Sequence, residues 1–320
     1  MSIRIPAEWE KQKSIIVVFP TTHKDWQHSI KEIQLSYVNF INAIRMFQKC
    51  IIICNTPEIL DNFFDSYKNI EIKNIKTDDT WVRDFGAIDV FIDGKLKSYN
   101  FIFNAWGNKF ESTLDNNFND SFFQNNLINI DFILEGGSID SNGNGTMLTT
   151  KKCIFNKNRN STCKDIKSKI KDIFGLKELI VLKHGTLVGD DTDSHIDTLA
   201  RFISKDTIVY TKCYDENDAH FKELNMMEKE LQQTDFKLIP LPLPAPKYFN
   251  NKRLPATYIN FVFLNDALIL PTYNDENDKK VISILEKTLQ NKKIIQVDAS
   301  IFIREYGSLH CSSIHQVLQI

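Results

Sequence analysis

The strongest constraint on the fold is a repeated order of elements: short apolar runs of strand length alternate with amphipathic helical stretches along the whole chain. Ser14–Phe19 reads as a buried strand. It is followed by a helix over Ser29–Gln48 whose Ile30, Ile33, Tyr37, Phe40, Ile41 and Ile44 share one face. Cys50–Cys54 is another strand, and Pro57 opens a helix running to Tyr67. Strands recur at Ile70–Ile75, Ile88–Ile92 and Lys97–Phe103, with Gly94 turning the chain between the last two. Asp165–Phe174 reads as a helix stopped by Gly175, with strand Leu179–Leu182 after it. Strands Ile196–Ile203 and Thr207–Tyr210 then lead into a helix over Asp218–Gln233 and strand Phe236–Leu241. Tyr258–Leu264, Ala267–Leu270, a helix over Asn277–Gln290 and strand Lys293–Val297 give the same order again. These two blocks hardly match in sequence, so a ββαβ unit recurs as structure alone, and the expected class is α/β.

No Ser/Gly/Pro-rich linker divides the pattern, which predicts one domain over residues 1–320. Pro240, Pro242, Pro244 and Pro246 predict a stiff loop, and the polar, Asn-rich Asn104–Asn126 predicts a long surface loop or an added flap. Basic and acidic residues nearly cancel, 39 against 41, so nothing points to nucleic acid or an anionic membrane. No stretch approaches the ~20 uninterrupted apolar residues of a membrane helix. The N-terminus lacks the apolar core and cleavage site of a signal peptide. The six cysteines form no CxxC pair. The expectation is a reduced, cytoplasmic protein. Glycine is scarce, 11 in 320, yet Gly86, Gly136, Gly137 and Gly307 all lie beside potentially reactive side chains.

Those side chains form a scattered set. His195 and Asp197, two apart at the expected start of a strand, would share one face and grip one ligand. Read alone they are equally a satisfied polar pair on a sheet edge, but Asp190, Asp191 and Asp193 beside them call for a cation or solvent. Asp84 follows Trp81, which would supply an aromatic wall for a cationic ligand. Read alone, Trp81 is better taken as core beside a surface Asp84–Arg83 pair. Glu135 precedes Gly136-Gly137, glycines that let backbone or ligand approach closely, although a Gly-Gly turn beside an ordinary surface Glu fits as well. Cys311, after His310, is the candidate nucleophile, against the plain alternative of a small core thiol. His184, His310 and His315 raise a metal reading, but their spacing matches no common zinc pattern, so no metal is expected.

Taken in order, Pro6-Ala7-Glu8-Trp9, Asp79-Thr80-Trp81-Val82-Arg83-Asp84-Phe85-Gly86, Glu135-Gly136-Gly137, Asp191-Thr192-Asp193-Ser194-His195-Ile196-Asp197, Tyr214-Asp215-Glu216-Asn217-Asp218, Tyr258-Ile259-Asn260-Phe261 and Gly307-Ser308-Leu309-His310-Cys311 span nearly the whole chain. In these segments the sequence resembles the agmatine deiminase branch of the guanidine-modifying pentein superfamily, related to bacterial-type peptidylarginine deiminases. The resemblance implies a five-bladed pseudo-symmetric α/β propeller of ββαβ units. It implies that Asp84 and Asp197 grip the guanidinium nitrogens, that Glu135 orients the same group and His195, and that Cys311 attacks the guanidinium carbon to give a thiouronium intermediate. His195 would serve as acid and base and, when charged, favour the Cys311 thiolate. Trp81, Asp191 and Gly307 would complete substrate binding. The implied substrate is a small cationic guanidine, agmatine, hydrolysed to N-carbamoylputrescine in putrescine biosynthesis. No cofactor is implied, and a homodimer is left open.

Two positions depart from the family pattern. Tyr306-Gly307-Ser308 replaces a glycine-rich run, so Ser308 would narrow the nucleophile loop, and Asp191 stands where relatives often have Glu. Both bear on which guanidine is taken. The rival expectations are a peptidylarginine deiminase with an open cleft, a free-arginine deiminase, and a catalytically silent pentein acting as a binding module.

Overall fold

A computed structural model describes residues 2–123 and 127–319. It has a mixed α/β architecture in which the ββαβ unit occurs five times. Ile88–Ile92 and Lys95–Ile102 form an antiparallel pair. Helix Thr113–Phe123 then crosses to Leu127–Ile133, which runs parallel to the second strand. Ile139–Ser141, Thr146–Thr150, helix Ile166–Phe174 and Glu178–Leu182 repeat the arrangement. So do Ala200–Ser204, Thr207–Lys212, helix Phe221–Leu231 and Lys237–Pro242. Val262–Phe263, Ala267–Thr272, helix Glu276–Thr288 and Lys293–Asp298 make a fourth. The fifth joins distant parts of the chain: Ser313–Val317 pairs antiparallel with Gln12–Val18, and helix Ile30–Arg45 crosses to the parallel strand Lys49–Ile53.

Local chemistry explains why these segments fold as they do. Strand Gln12–Val18 ends in the β-branched run Ile15–Val18 and is buried almost throughout, as a strand covered on both faces requires. Helix Glu276–Thr288 starts at a capping box between Asp275 and Asp278, a feature worth ~0.5–2 kcal/mol. Helix Ile166–Phe174 is capped by Asp165 and ends at Gly175, whose φ of 64° suits glycine. Ile33, Tyr37, Phe40, Ile41 and Ile44 of helix Ile30–Arg45 pack with Ile15–Phe19 and Ile51–Ile53 in the largest of three apolar clusters.

Several sequence expectations are corrected. His195 and Asp197 do not begin a strand. They flank Ile196 in a 3₁₀ turn, Ile196–Thr198, and the strand starts at Ala200. Tyr258–Ile259 is not strand, and only Val262–Phe263 pairs. Pro57 opens a 3₁₀ helix that stops at Asn62. Pro240 and Pro242 lie inside strand Lys237–Pro242, which the order of its sheet makes an edge strand, where a missing N–H is tolerated. Asn104–Asn126 is no structureless flap: it holds the turn Ala105–Asn108 and helix Thr113–Phe123, while 124–126 lie outside the described residues.

Candidate active site

Each of the five units is preceded by a tight lead-in turn, and each turn contributes to one site. Asp84 lies in the short helix Val82–Phe85 before strand Ile88–Ile92. Glu135 precedes the turn Gly136–Ser138 and strand Ile139–Ser141. His195 caps, and Asp197 lies within, the turn before Ala200–Ser204, Asn260 stands just before Val262–Phe263, and Cys311 just before Ser313–Val317. Equivalent places in a repeated unit thus bring together side chains far apart in sequence.

All of these side chains are buried. Gly137 sits at their centre: a Cβ there would lie 2.7 Å from His195 Nδ1, 2.8 Å from Asp84 Oδ1 and 3.1 Å from Asp197 Oδ2. Only glycine leaves room for the imidazole and two carboxylates to meet, and its N–H also donates to Asp84 Oδ1 at 2.9 Å. His195 Nδ1 is 3.5 Å from Asp84 Oδ1, and its Nε2 is 3.9 Å from Glu135 Oε2, an ion-pair distance rather than a hydrogen bond. Cys311 Sγ lies 3.8 Å from Asp197 Oδ2 and receives Asn260 Nδ2 at 3.3 Å. Asn260 Oδ1 accepts the backbone N–H groups of His310 and Cys311, fixing the thiol's loop.

A second layer holds the charges. Arg159 Nε donates to both oxygens of Glu135 at 2.9 Å, and Arg159 Nη1 reaches Asp193 at 2.8 Å. His310 bridges Asp197 Oδ2 and Glu8 Oε1, 2.8 Å on each side, while Glu8 also pairs with Arg83 and Arg201. Burial opposes ionisation of Glu135, but His195 and Arg159 hold its carboxyl below the ordinary range. Burial likewise opposes ionisation of Asp197, and His310 outweighs it, so Asp197 is lowered as well. Asp84 is different: burial dominates and its pKa stays raised despite His195 and Trp106, with Asp197 and Glu135 adding repulsion. Burial would discharge His195, yet Asp84, Cys153 and Glu135 together lift it well above its usual value.

Burial first, then Asp197 and Asp84, push the Cys311 thiol well above the ordinary range, which disfavours the thiolate in the ligand-free site. Three further buried atoms have no hydrogen-bond partner among the described residues: both ring nitrogens of His195 and Oδ1 of Asp197.

Above this floor opens a pocket with an empty volume of about 550 Å³, lined by Asp25, Asp79, Trp81, Asp84, Trp106, Phe110, Asp191, Thr192, Glu305, Tyr306, Gly307 and Cys311. Its mouth carries four part-buried carboxylates, Asp25, Asp79, Asp191 and Glu305, and among the described residues no Lys or Arg lines it. Burial raises Asp191 to about 6, with Asp190 adding to it, and raises Glu305 to about 7, with Asp25 and Asp191 adding to it. Gly307 packs on the face of Trp81, where a Cβ would come within 2.4 Å of the ring, so its lack of a side chain is a packing requirement.

The eight expected site residues therefore converge. Cys311, His195, Asp84, Asp197 and Glu135 form the floor, and Trp81, Asp191 and Gly307 line the walls. Arg83 is not on the surface but buried, bound to Glu8 and to His315 at 2.9 Å. Ser308 is buried and does not line the pocket, whereas Tyr306 does, in a left-handed conformation with φ 67°. The sequence reading gave no site role to Arg159, Asn260, His310, Glu8 or Trp106. Asn260, Glu8 and His310 already stood in the segments that carry the resemblance, but Arg159 and Trp106 left no signal beyond residue type. Glu135, Cys153 and His195 place three donor atoms within 4.8 Å of one another. The Arg159 guanidinium already pairs with both Glu135 oxygens, so this cluster suits an ion-pair network better than a metal ion.

The profile of the Porphyromonas-type peptidyl-arginine deiminase family matches residues 4–316. An agmatine deiminase of Pseudomonas aeruginosa (strain LESB58) is 27% identical over 96% of this chain and 94% of its own length. Among solved structures, a cysteine-to-serine variant of the C. jejuni agmatine deiminase with substrate bound is 48% identical. It covers 99% of this chain and 96% of that one, with a TM-score of 0.96. The agmatine deiminase of Enterococcus faecalis, 24% identical, covers 100% and 97% with a TM-score of 0.90, which bears on the fold.

Proposed function

The chain belongs to the Porphyromonas-type peptidyl-arginine deiminase family, and on that premise we propose that it is an agmatine deiminase, hydrolysing agmatine to N-carbamoylputrescine and ammonia. The observation that carries the substrate assignment is the single pocket joining the Cys311 floor to a mouth of four carboxylates without a lining cation. A guanidinium at the floor and a primary ammonium at the mouth match it. A substrate carboxylate would face those four carboxylates, with Lys109, bound to the Asp191 carbonyl and to Asp193, as a cation beside them.

The planar guanidinium sits between Asp84 and Asp197, whose facing oxygens accept its N–H groups in paired charge-assisted bonds. Burial, Asp197 and Asp84 all disfavour the Cys311 thiolate; the substrate's positive charge offsets the two carboxylates, so the thiol releases its proton to water and the thiolate forms with substrate in place. Sulfur attacks the guanidinium carbon, giving a tetrahedral adduct. His195, charged between Asp84 and Glu135, donates a proton to the departing ammonia and leaves an S-alkylthiouronium on Cys311. The neutral imidazole then takes a proton from water as it adds to that carbon. Expulsion of the sulfur yields the ureido product and restores the thiol. The chemistry calls for no metal or organic cofactor. Cys153, also beside His195, does not line the pocket, which favours Cys311 as the nucleophile.

The five ββαβ units fit five blades of a propeller within one domain over residues 1–320, as the pairing of Ser313–Val317 with Gln12–Val18 and the convergence of five lead-in turns support. Among the described residues no helix is long and apolar enough to cross a membrane; the proposed reaction places the enzyme in the cytoplasm, on a route to putrescine. Incubation with agmatine, free arginine and a peptidyl-arginine, followed by a ureido assay, tests the assignment. Agmatine is expected to turn over fastest. Faster turnover of either arginine substrate reverses the reading, and none at all favours a silent binding module.

A further inference from the structure

Trp106 has no place in the chemistry above, yet its indole is buried against a carboxylate of the floor: Nε1–H donates to Asp84 Oδ2 at 2.9 Å. We propose that Trp106 is a positioning residue that fixes the Asp84 carboxylate for guanidinium binding. The proposal rests on the reading of Asp84 as a guanidinium ligand.

Three observations carry it. Asp84 is held by one neutral donor on each oxygen, Trp106 Nε1–H on Oδ2 and the Gly137 N–H on Oδ1. Neutral donors orient a carboxylate without spending its charge. A lysine or arginine in that place would pair with Asp84 and leave it little to offer an incoming cation. The other charges facing Asp84 are His195, Asp197 and Glu135, none of which contacts Oδ2 in a hydrogen bond among the described residues.

The backbone that presents the indole is also unusual. Ala105, Trp106, Gly107 and Asn108 have φ of 48°, 53°, 94° and 64°, four successive left-handed residues of which only one is glycine. Asn104 fastens this turn, accepting from the Gly107 N–H at 3.0 Å and donating to the Asn158 carbonyl at 2.7 Å. Phe103 and Phe110 pack edge-on against the indole. A backbone held so far from its preferred region implies that the side chain's direction matters.

The test uses the Cys311→Ser variant, which binds without turning over, and calorimetric titration with agmatine from pH 6 to 9. Four forms are compared in that background: Trp106 intact, Trp106→Phe, Asp84→Asn, and both together. Trp106→Phe keeps an aromatic ring but removes the donor, and is expected to weaken binding on the order of tenfold. The loss should be largest at the acid end, where Asp84 is most readily protonated. In the Asp84→Asn background the same change should cost less than about twofold, because the effect passes through that carboxylate. Trp106→His, which keeps a ring N–H, is expected to recover part of the loss.

Binding unchanged by Trp106→Phe overturns the proposal, as does an equal loss with and without Asp84, which marks a direct or merely structural contact. If the Phe variant fails to fold, as melting would reveal, the His variant decides: binding near the parent supports the proposal and a loss on the order of tenfold overturns it. If the parent itself does not bind agmatine, or Asp84→Asn binds it equally well, the functional reading fails rather than this inference alone.

Discussion

The floor and the mouth of the pocket are both acidic, yet they treat charge in opposite ways. On the floor, Glu135 has Arg159 and Asp197 has His310, and these partners hold both carboxyls in the ionised form within a dry interior. At the mouth, burial raises Asp191 to about 6, with Asp190 adding to it and Lys109 and His195 offsetting part, and raises Glu305 to about 7, with Asp25 and Asp191 adding to it. Glu135 and Asp197 thus favour the charged form before substrate arrives, as preorganised catalysis requires, whereas Cys311 and Asp84 do not. The mouth is left in deficit, so the ligand's own cation completes it. Asp84 belongs structurally to the floor but electrostatically to the mouth, since its pKa stays raised until a cation reaches it. In this scheme the floor sets the reaction and the mouth chooses the substrate.

The sharpest way to break this division is at the sulfur. Cys311→Ser should lower turnover by about 10⁴-fold or more while agmatine binding survives. Mass spectrometry of the wild-type protein, quenched during turnover, should place the adduct on the peptide containing Cys311. An adduct on Cys153 would move the floor's nucleophile to the far side of His195. His195→Ala should be nearly as severe in the steady-state ureido assay, and near-normal activity would remove the imidazole as acid and base.

Arg159→Met tests whether the floor is balanced in advance. It strands Glu135 without its guanidinium, and chemical denaturation should show a loss of ~3–5 kcal/mol. A stability change under about 1 kcal/mol would mean that Glu135 is held by His195 alone.

At the mouth, Asp191→Asn is expected to raise KM for agmatine about tenfold with kcat within a few-fold, since it touches a remote end of the substrate. Methylguanidine, which lacks the ammonium, should not register the change. An equal effect on both compounds would erase the distinction between the two regions.

The smallest expected effect is a pH dependence. A carboxyl whose pKa rises on folding stabilises the folded state while protonated. For Asp191 and Glu305 that contribution is complete below their unfolded pKa values of ~4 and is lost as pH rises through about 6 and about 7. The ligand-free protein should therefore lose a few degrees of Tm over that window relative to an Asp191→Asn, Glu305→Gln double variant, and agmatine should protect more at pH 8 than at pH 5. Protection that does not change with pH would place the ammonium elsewhere.

What could be read from the sequence divides along similar lines. Two of the five ββαβ units were visible because their helices, Phe221–Leu231 and Glu276–Thr288, are amphipathic and their strands apolar. The unit made from Ser313–Val317 and Gln12–Val18 was not, because its two halves are at opposite ends of the chain and no local periodicity joins them. Strand periodicity puts His195 and Asp197 on one face, but it is a 3₁₀ turn, not a strand, that holds them together. The floor residues with reactive side chains were legible from residue type and from the resemblance. Their partners Arg159 and Trp106 were not, because an arginine in a polar loop and a tryptophan in an Asn-rich stretch look like surface and core until the fold sets them 2.9 Å from a carboxylate.

The pairing of Ser313–Val317 with Gln12–Val18 also sets the order in which the molecule can mature. During synthesis, four of the five turns that build the floor leave the ribosome before Cys311 does, and the strand that anchors the thiol's loop must find a partner made at the outset. Until Ser313–Val317 docks, the nascent polypeptide holds an acidic cleft without a nucleophile, and strand Gln12–Val18 keeps one edge bare.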